Sequence, residues 1–458
     1  MENLKRAEKI VKKVILLIPF KDYSKNDLLK YIPPGYLGCA GYGKEAYPYD
    51  LYYYEPLREL FSEVIVYDYV EHIISGGINS MNQKLIELVR RERPAYVIWV
   101  SAYFEFPEKT FDLIRKEGSR IVGFFFDDEW RFNLYSKWWI PHIDYFVTND
   151  SERVSSYMEL GARAVHTAPY NGIPVDVNWE KVKEKHDVSF VGDKKYDRAR
   201  YIDAIRQKDI QVSVFGAGWG TRYVPFSEMI DIFTNSKINL NFSKALHKKM
   251  GWKGRIFQVC MAGGFLLTEY RPGIENYFEI GKEIVCFDGI KEMLGKIEFY
   301  LNHDVERRAI ARAGWEKAAG KYTPFQMMAE VFDKIFSMEK AGSQNRETKI
   351  CHLRISRRMR KDFSHYYYRW GVGLLASGSK RSWKDAFNLS LSYDHFNMWA
   401  WSFRLIGFLP CPLRFLFFNS YNNIKSILKP LFLNLKKHIP FLDRISMFLP
   451  WIPEKSGK

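Results

Sequence analysis

Along residues 13 to about 170, short unbroken apolar runs alternate with longer amphipathic ones. KVILLIPF, EVIVYDY, AYVIWVS, RIVGFFFDD and YFVTND are rich in β-branched and aromatic residues, and between several of them lie helix-period stretches such as NQKLIELVRRER and PEKTFDLIRKEG. Strands apolar on both faces, alternating with amphipathic helices, predict a parallel sheet covered on each side. After a polar stretch at 173–186 the pattern restarts: strand DVSFVGD, helix RARYIDAIRQ, strand QVSVFGAGW, then MIDIFTNSKINLNFS as helix and strand. The expected architecture is α/β with two Rossmann-like domains, residues 1–172 and 173–338. A linker at 339–353 leads to a helical, basic and aromatic-rich tail at 354–458.

Composition sharpens this picture only in places. With 458 residues and 47% hydrophobic content, the chain is no disordered protein and can bury several cores. Five scattered cysteines (Cys39, Cys260, Cys286, Cys351, Cys411) lack zinc-site spacing and suit a reducing compartment. The start MENLKRAEKIVKKVILLIPF reads as a first buried strand rather than a signal peptide, and no segment reaches the eighteen apolar residues of a membrane span. The expected location is the cytoplasm.

The net charge of +16 is uneven: from Lys349 onward there are 19 Lys and Arg against five Asp and Glu. Short apolar patches with Trp and Phe among single cations predict docking on an anionic membrane surface, at its inner face, each cation adding about 1 kcal/mol. A packed helical domain is the alternative for the tail. No nucleic-acid module accompanies the charge, so no nucleic-acid partner is expected.

Chemistry concentrates in Lys253–Glu275, KGRIFQVCMAGGFLLTEYRPGIE. Lys253 and Arg255 open a helical apolar segment, Gly263 and Gly264 interrupt it, and a strand follows. Cations at a helix start beyond a parallel strand, with glycines that admit a close ligand, suit a diphosphate. Gly192, Gly216 and Gly218 end two strands of the same domain, and Arg198 heads the helix after Gly192. Asn241, Ser243 and His247 are further polar groups near this stretch. In the first domain, FFFDDEWRF puts Asp127, Asp128 and Glu129 at a sheet edge, where a carboxylate serves as base, acceptor ligand or helix cap. The Gly- and Tyr-rich insertion Lys21 to Tyr54 is either an acceptor-side lid or a surface loop packing its own aromatics.

The stretch resembles the donor half of group 1 glycosyltransferases, and within them the CgeB-like spore maturation family. The shared elements are K-x-R-x-F, G-G, L-L-T, F-x-x-G-x-E-I and Y-L-x-x-x-x-x-R-x-x-I-A-x-x-G. They fall here on Lys253, Arg255, Phe257, Gly263, Gly264, Thr268, Phe278, Gly281, Glu283, Tyr300, Leu301, Arg307, Ile310, Ala311 and Gly314.

The resemblance implies a GT-B fold and transfer of a sugar from a nucleotide-sugar donor to a glycan, lipid-linked or protein acceptor, for a cell-surface glycan, without metal or other cofactor. It implies that Lys253, Arg198 and Arg255 meet the departing diphosphate, that the Gly192, Gly216 and Gly218 loops line the donor, and that Gly263 and Gly264 offer N–H groups. Gln258 stands where a glutamate holds the donor ribose, and Met250 where another contacts the donor sugar. Asp127 and Asp128 match an acidic pair, and Tyr170, Asn171 and Gly172 match the end of domain one. The helix Tyr322 to Met338 is expected to cross back onto the first domain, and the tail resembles helix-pair ends of bacterial glycosyltransferases. Met250 and Gln258 motivate the alternative of a non-catalytic GT-B scaffold.

Overall fold

The computed structural model describes residues 9–30, 32, 48–168, 172–221, 224–244, 250–342, 357–376, 382–395, 397 and 400. Six strands form the first sheet: β1 (Ile10–Leu17), β2 (Phe61–Tyr67), β3 (Tyr96–Val100), β4 (Arg120–Phe125), β5 (Tyr145–Thr148) and β6 (Ala164–His166). All pair in parallel, in the order β2-β1-β3-β4-β5-β6. The residues of β3 are all buried, as the continuous apolar run requires of a strand covered on both faces. β6, three residues long, was not singled out from the sequence, because so short a segment carries no period.

Five strands form the second sheet: β7 (His186–Val191), β8 (Val212–Phe215), β9 (Ser236–Asn241), β10 (Leu266–Glu269) and β11 (Val285–Phe287). These too are parallel, in the order β11-β10-β9-β7-β8. The chain order reverses between β7 and β9. At such a switch point the two strands' following loops diverge and leave a crevice beyond their carboxyl ends.

The described residues fall into two compact units, one within 1–25, 37–69 and 84–354, the other within 26–36, 70–83 and 355–458. The boundary expected at 172 is therefore not a boundary of packing. One continuous core joins residues of the first sheet (Val14, Val122, Val147) to the helix Arg255–Met261 (Ile256, Phe257, Val259) and to the helix Pro324–Gly342 (Met328, Val331, Phe332). Phe332 meets Phe61 and Tyr96 edge to face at 4.8 and 5.6 Å, and Tyr96 donates to Glu339 at 2.7 Å. The last helix of the second sheet's half thus crosses back onto the first sheet, burying aromatic surface worth ~2 kcal/mol per ring by area. The two Rossmann-like sheets have the GT-B arrangement that the resemblance implies.

The second unit is helical where described. Arg357–Ala376 and Ser382–Tyr393 pack as a hairpin around Trp370, Trp383 and Phe387, with Ser364, Ser390 and Asn397 satisfying one another inside it. Residues 401–458, which carry much of the membrane-docking expectation, lie outside the described residues. Among those described, no helix is long and apolar enough to cross a membrane. Of the Tyr-rich insertion, 33–47 lie outside as well; at its end Tyr52 and Tyr53 are core residues rather than lid.

Candidate active site

The switch point between β7 and β9 gathers the cations. Phe190, near the end of β7, has two guanidinium groups over its ring, Arg198 at 5.5 Å and Arg255 at 5.3 Å from the centroid. Arg198 is 7% exposed; its Nη1 donates to the Asp193 carbonyl at 2.9 Å, and its buried Nε has no partner among the described residues. Burial pushes its pKa down, against the pull of Tyr196 and Asp193. Arg255 reaches Asn241 Oδ1 at 3.4 Å and passes over Gly192.

The strand-end glycines make this possible by backbone contact. Gly216 has φ +125°, and a Cβ there would sit 2.7 Å from the Gly192 carbonyl oxygen. Gly218 leans similarly on Lys194. The sequence put Gly192, Gly216, Gly218, Arg198, Arg255 and Lys253 in one site, and the structure brings them together.

The Lys253 side chain makes no hydrogen bond or ion pair among the described residues. Burial lowers its pKa; Asp127 and Glu129 of the first domain oppose this, while Arg198 and Arg255 add to it. The cationic edge of the second sheet and the acidic edge of the first therefore act on one another through Lys253. Asp127, two residues past β4, is in the left-handed region (φ 60°, ψ 29°), a strained place for a residue with a Cβ, costing about 1 kcal/mol or more.

Asp128 requires a correction. It is fully buried, accepting from Ser136 at 2.5 Å and Tyr157 at 2.9 Å, and burial raises its pKa to about 6. It ties the chain after β4 to neighbouring elements and has no face left for an acceptor. Its neighbour Glu129, at the same sheet edge, is a buried carboxyl that acts on Lys253 together with Asp127. Glu129 is 6% exposed, and burial, then the Asp127 charge, lifts its carboxyl to about 7.

A carboxyl raised from 4.5 binds a proton more readily in the folded state, so its contribution favours folding below about pH 4.5 and is lost as pH rises through 7. Glu129→Gln is expected to gain stability relative to wild type across that window, by up to about 3 kcal/mol. Thermal melts of both proteins between pH 4.5 and 7.5 test this; parallel curves would count against it.

Two further expectations change. Gly263 and Gly264 lie at the carboxyl end of the helix Arg255–Met261, about 10 Å from the cations by helical rise. Their N–H groups donate to Cys260 and Val259 carbonyls at 2.9 and 3.0 Å, closing the helix. Gly263 is left-handed (φ +73°) and packs on Val177 and Trp179. They are a helix stop at the amino edge of the sheet, away from Lys253, Arg198 and Arg255. Gln258 points toward the first domain, its Nε2 donating to Tyr52 Oη at 3.4 Å.

Asn241 and Ser243 take internal roles, bonding Thr268 Oγ1 and the Glu269 carbonyl. Gly172 packs on Phe257 and Met261; His247, Tyr170 and Asn171 lie outside the described residues. Arg271, two residues past β10, went unnoticed in the sequence, although a cation at the carboxyl end of a parallel strand was the available signal. It is 8% exposed, and burial lowers its pKa against Asp150 and Glu129.

Comparison with known proteins bears on this geometry. Residues 198–333 match the family described as glycosyl transferase-like. The spore protein CgeB of Bacillus subtilis (strain 168) is 20% identical over 219 residues, 41% of this chain and 67% of that one. Among solved structures, Anabaena HepE in complex with UDP and glucose is similar at TM-score 0.47 and 11% identity, covering 71% of this chain and all of that one. Sucrose-phosphate synthase from Thermosynechococcus elongatus is similar at TM-score 0.43 and 8% identity, again over 71% of this chain and all of the other. The span similar to that family begins at Arg198 and contains Lys253, Arg255 and the motif run to Gly314.

Proposed function

We propose that this protein transfers a hexose from a nucleotide-sugar donor to an acceptor hydroxyl, in building a cell-surface glycan. The observation that carries the reading is the convergence of Lys253, Arg198 and Arg255 at the β7/β9 switch point, opposite Asp127 and Glu129. In transfer, the acceptor oxygen bonds to the anomeric carbon, the bond from that carbon to the diphosphate oxygen breaks, and the diphosphate leaves with the electron pair. Three cations in a half-buried crevice meet that developing charge, so the leaving group needs no metal in this scheme. The acceptor proton goes to a carboxylate of the first domain, for which Asp127 is the candidate now that Asp128 is enclosed.

The test is thermal unfolding of the full chain with a panel of nucleoside diphosphates and nucleotide sugars. A ligand at a hundred times its Kd adds about 2.7 kcal/mol, a shift of a few degrees. A shift specific to one base supports the reading. Silence across the panel at millimolar ligand would favour a non-catalytic scaffold, the reading that Met250 and the Gln258–Tyr52 bond motivate.

A further inference from the structure

Beyond the diphosphate cations, the cleft holds a second cation prepared for a ligand. Arg271 leaves β10 at its carboxyl end, in the turn containing Gly273 (φ +87°). Its guanidinium lies over the Trp252 ring, 3.7 Å from the centroid, and Trp252 is itself braced edge to face by Tyr277 at 4.8 Å. A guanidinium this close over an indole is held by the ring and keeps its N–H groups available as donors.

One of those donors is used inside the protein: Nε donates to the Met250 carbonyl at 3.3 Å. Nη1 is buried and has no acceptor among the described residues. An unmade hydrogen bond on a buried charged group is costly, and natural proteins keep such groups chiefly where a ligand completes them.

The nearby carboxylates do not fill the place. Asp150, Glu129 and Glu152 act on the Arg271 charge through space, with Tyr277, yet none forms an ion pair with it. Asp150 caps the helix Ser151–Glu159 through the Glu152 N–H at 3.2 Å and faces Arg153 at 3.8 Å. His166, held neutral with a pKa lowered to about 4 chiefly by burial, is no counter-charge. Glu129 acts on both Arg271 and Lys253, so the two cations flank the same acidic edge.

We propose that Arg271 binds a second oxyanion, a carboxylate or phosphate carried by one of the two substrates, beside the diphosphate at Lys253, Arg198 and Arg255. The assignment rests on the glycosyltransferase reading. Planar, bidentate recognition of a carboxylate or phosphate is what a braced guanidinium does best. The anion belongs either to an acidic donor sugar, a hexuronate, or to a phosphorylated acceptor.

Titration calorimetry on the full chain distinguishes these sources. It compares the nucleoside diphosphate that binds, its neutral hexose conjugate and its hexuronate conjugate, and then adds a hexose phosphate to the nucleotide-loaded protein. A hexuronate conjugate bound at least tenfold more tightly than the hexose conjugate places the anion on the donor. Binding of the hexose phosphate to the loaded protein, without that preference, places it on the acceptor. In either case Arg271→Met should abolish the effect, Arg271→Lys should restore part of it, and the Kd of the bare diphosphate should stay within about twofold.

A merely structural Arg271 would lower the melting temperature and leave charge preference untouched. Wild type showing no preference in either arm overturns the proposal, whether or not the variants fold, as does a preference that survives in Arg271→Met. If no nucleoside diphosphate binds at all, the glycosyltransferase reading itself falls.

Discussion

Lys253→Met is expected to lower sugar transfer about 100- to 1,000-fold and to weaken nucleoside diphosphate binding by at least tenfold, with the fold intact. The first figure is what removal of one preorganised group facing developing charge costs in a water-poor site. The second follows from losing a charged hydrogen bond of about 1.5–3 kcal/mol. Methionine keeps the apolar stem and removes the ammonium, so packing changes little.

Because the Lys253 side chain has no internal partner among the described residues, its loss leaves no buried carboxylate newly unpaired at hydrogen-bond range. Removing a cation whose pKa burial already lowers should even relieve strain in the free protein. Steady-state rates and diphosphate titrations measure both effects. Unchanged diphosphate affinity would remove Lys253 from the site and leave Arg198 and Arg255 as the diphosphate cations.

Gly216→Ala is expected to destabilise the donor half by about 2–5 kcal/mol and to abolish nucleotide binding together with it. The residue has φ +125°, where a side chain adds about 1–3 kcal/mol of backbone strain. Its Cβ would also lie 2.7 Å from both the carbonyl carbon and oxygen of Gly192, and 3.2 Å from the Asp193 N–H nitrogen. Backbone cannot step aside as a flexible side chain can, so the ends of β7 and β8 must part.

That movement displaces Gly192 from beneath the Arg255 guanidinium and shifts the Asp193 carbonyl that Arg198 holds at 2.9 Å. Calorimetric unfolding with and without the nucleotide tests the prediction. A variant melting within a degree of wild type would show that the two loops are not locked together. Gly218→Ala, which meets only the Lys194 side chain at 3.0 Å, should be milder and is the control.

Much of the fold was legible because a strand buried on both faces must be continuously apolar. Such runs as AYVIWV identify themselves, and the order of strands and helices then leaves few topologies. The cations were legible for a related reason. Lys253, Arg255 and Arg198 stand just past parallel strands, and connectivity alone carries such positions to the carboxyl edge of the sheet.

Position along the chain also fixes which end of a helix a residue occupies, and this was misjudged for Gly263 and Gly264. They follow seven helical residues after the cations, hence the opposite edge. Gln258 was assigned by family pattern, but its rotation toward Tyr52 depends on a first-domain segment more than two hundred residues earlier.

What the sequence determined by itself was the repeating β–α pattern, the two sheets and the edge on which charge collects, since these depend on local periodicity and chain direction. Tertiary structure decided which charged groups face the cleft. Asp128 and Glu129 are adjacent and chemically alike, yet one is enclosed by Ser136 and Tyr157 and the other acts on Lys253 and Arg271. The left-handed turn at Asp127 and the packing of distant helices set that difference. The same holds for Arg271, whose meaning lies in the Trp252 ring beneath it and the acceptor its Nη1 lacks among the described residues, neither of which any local pattern encodes.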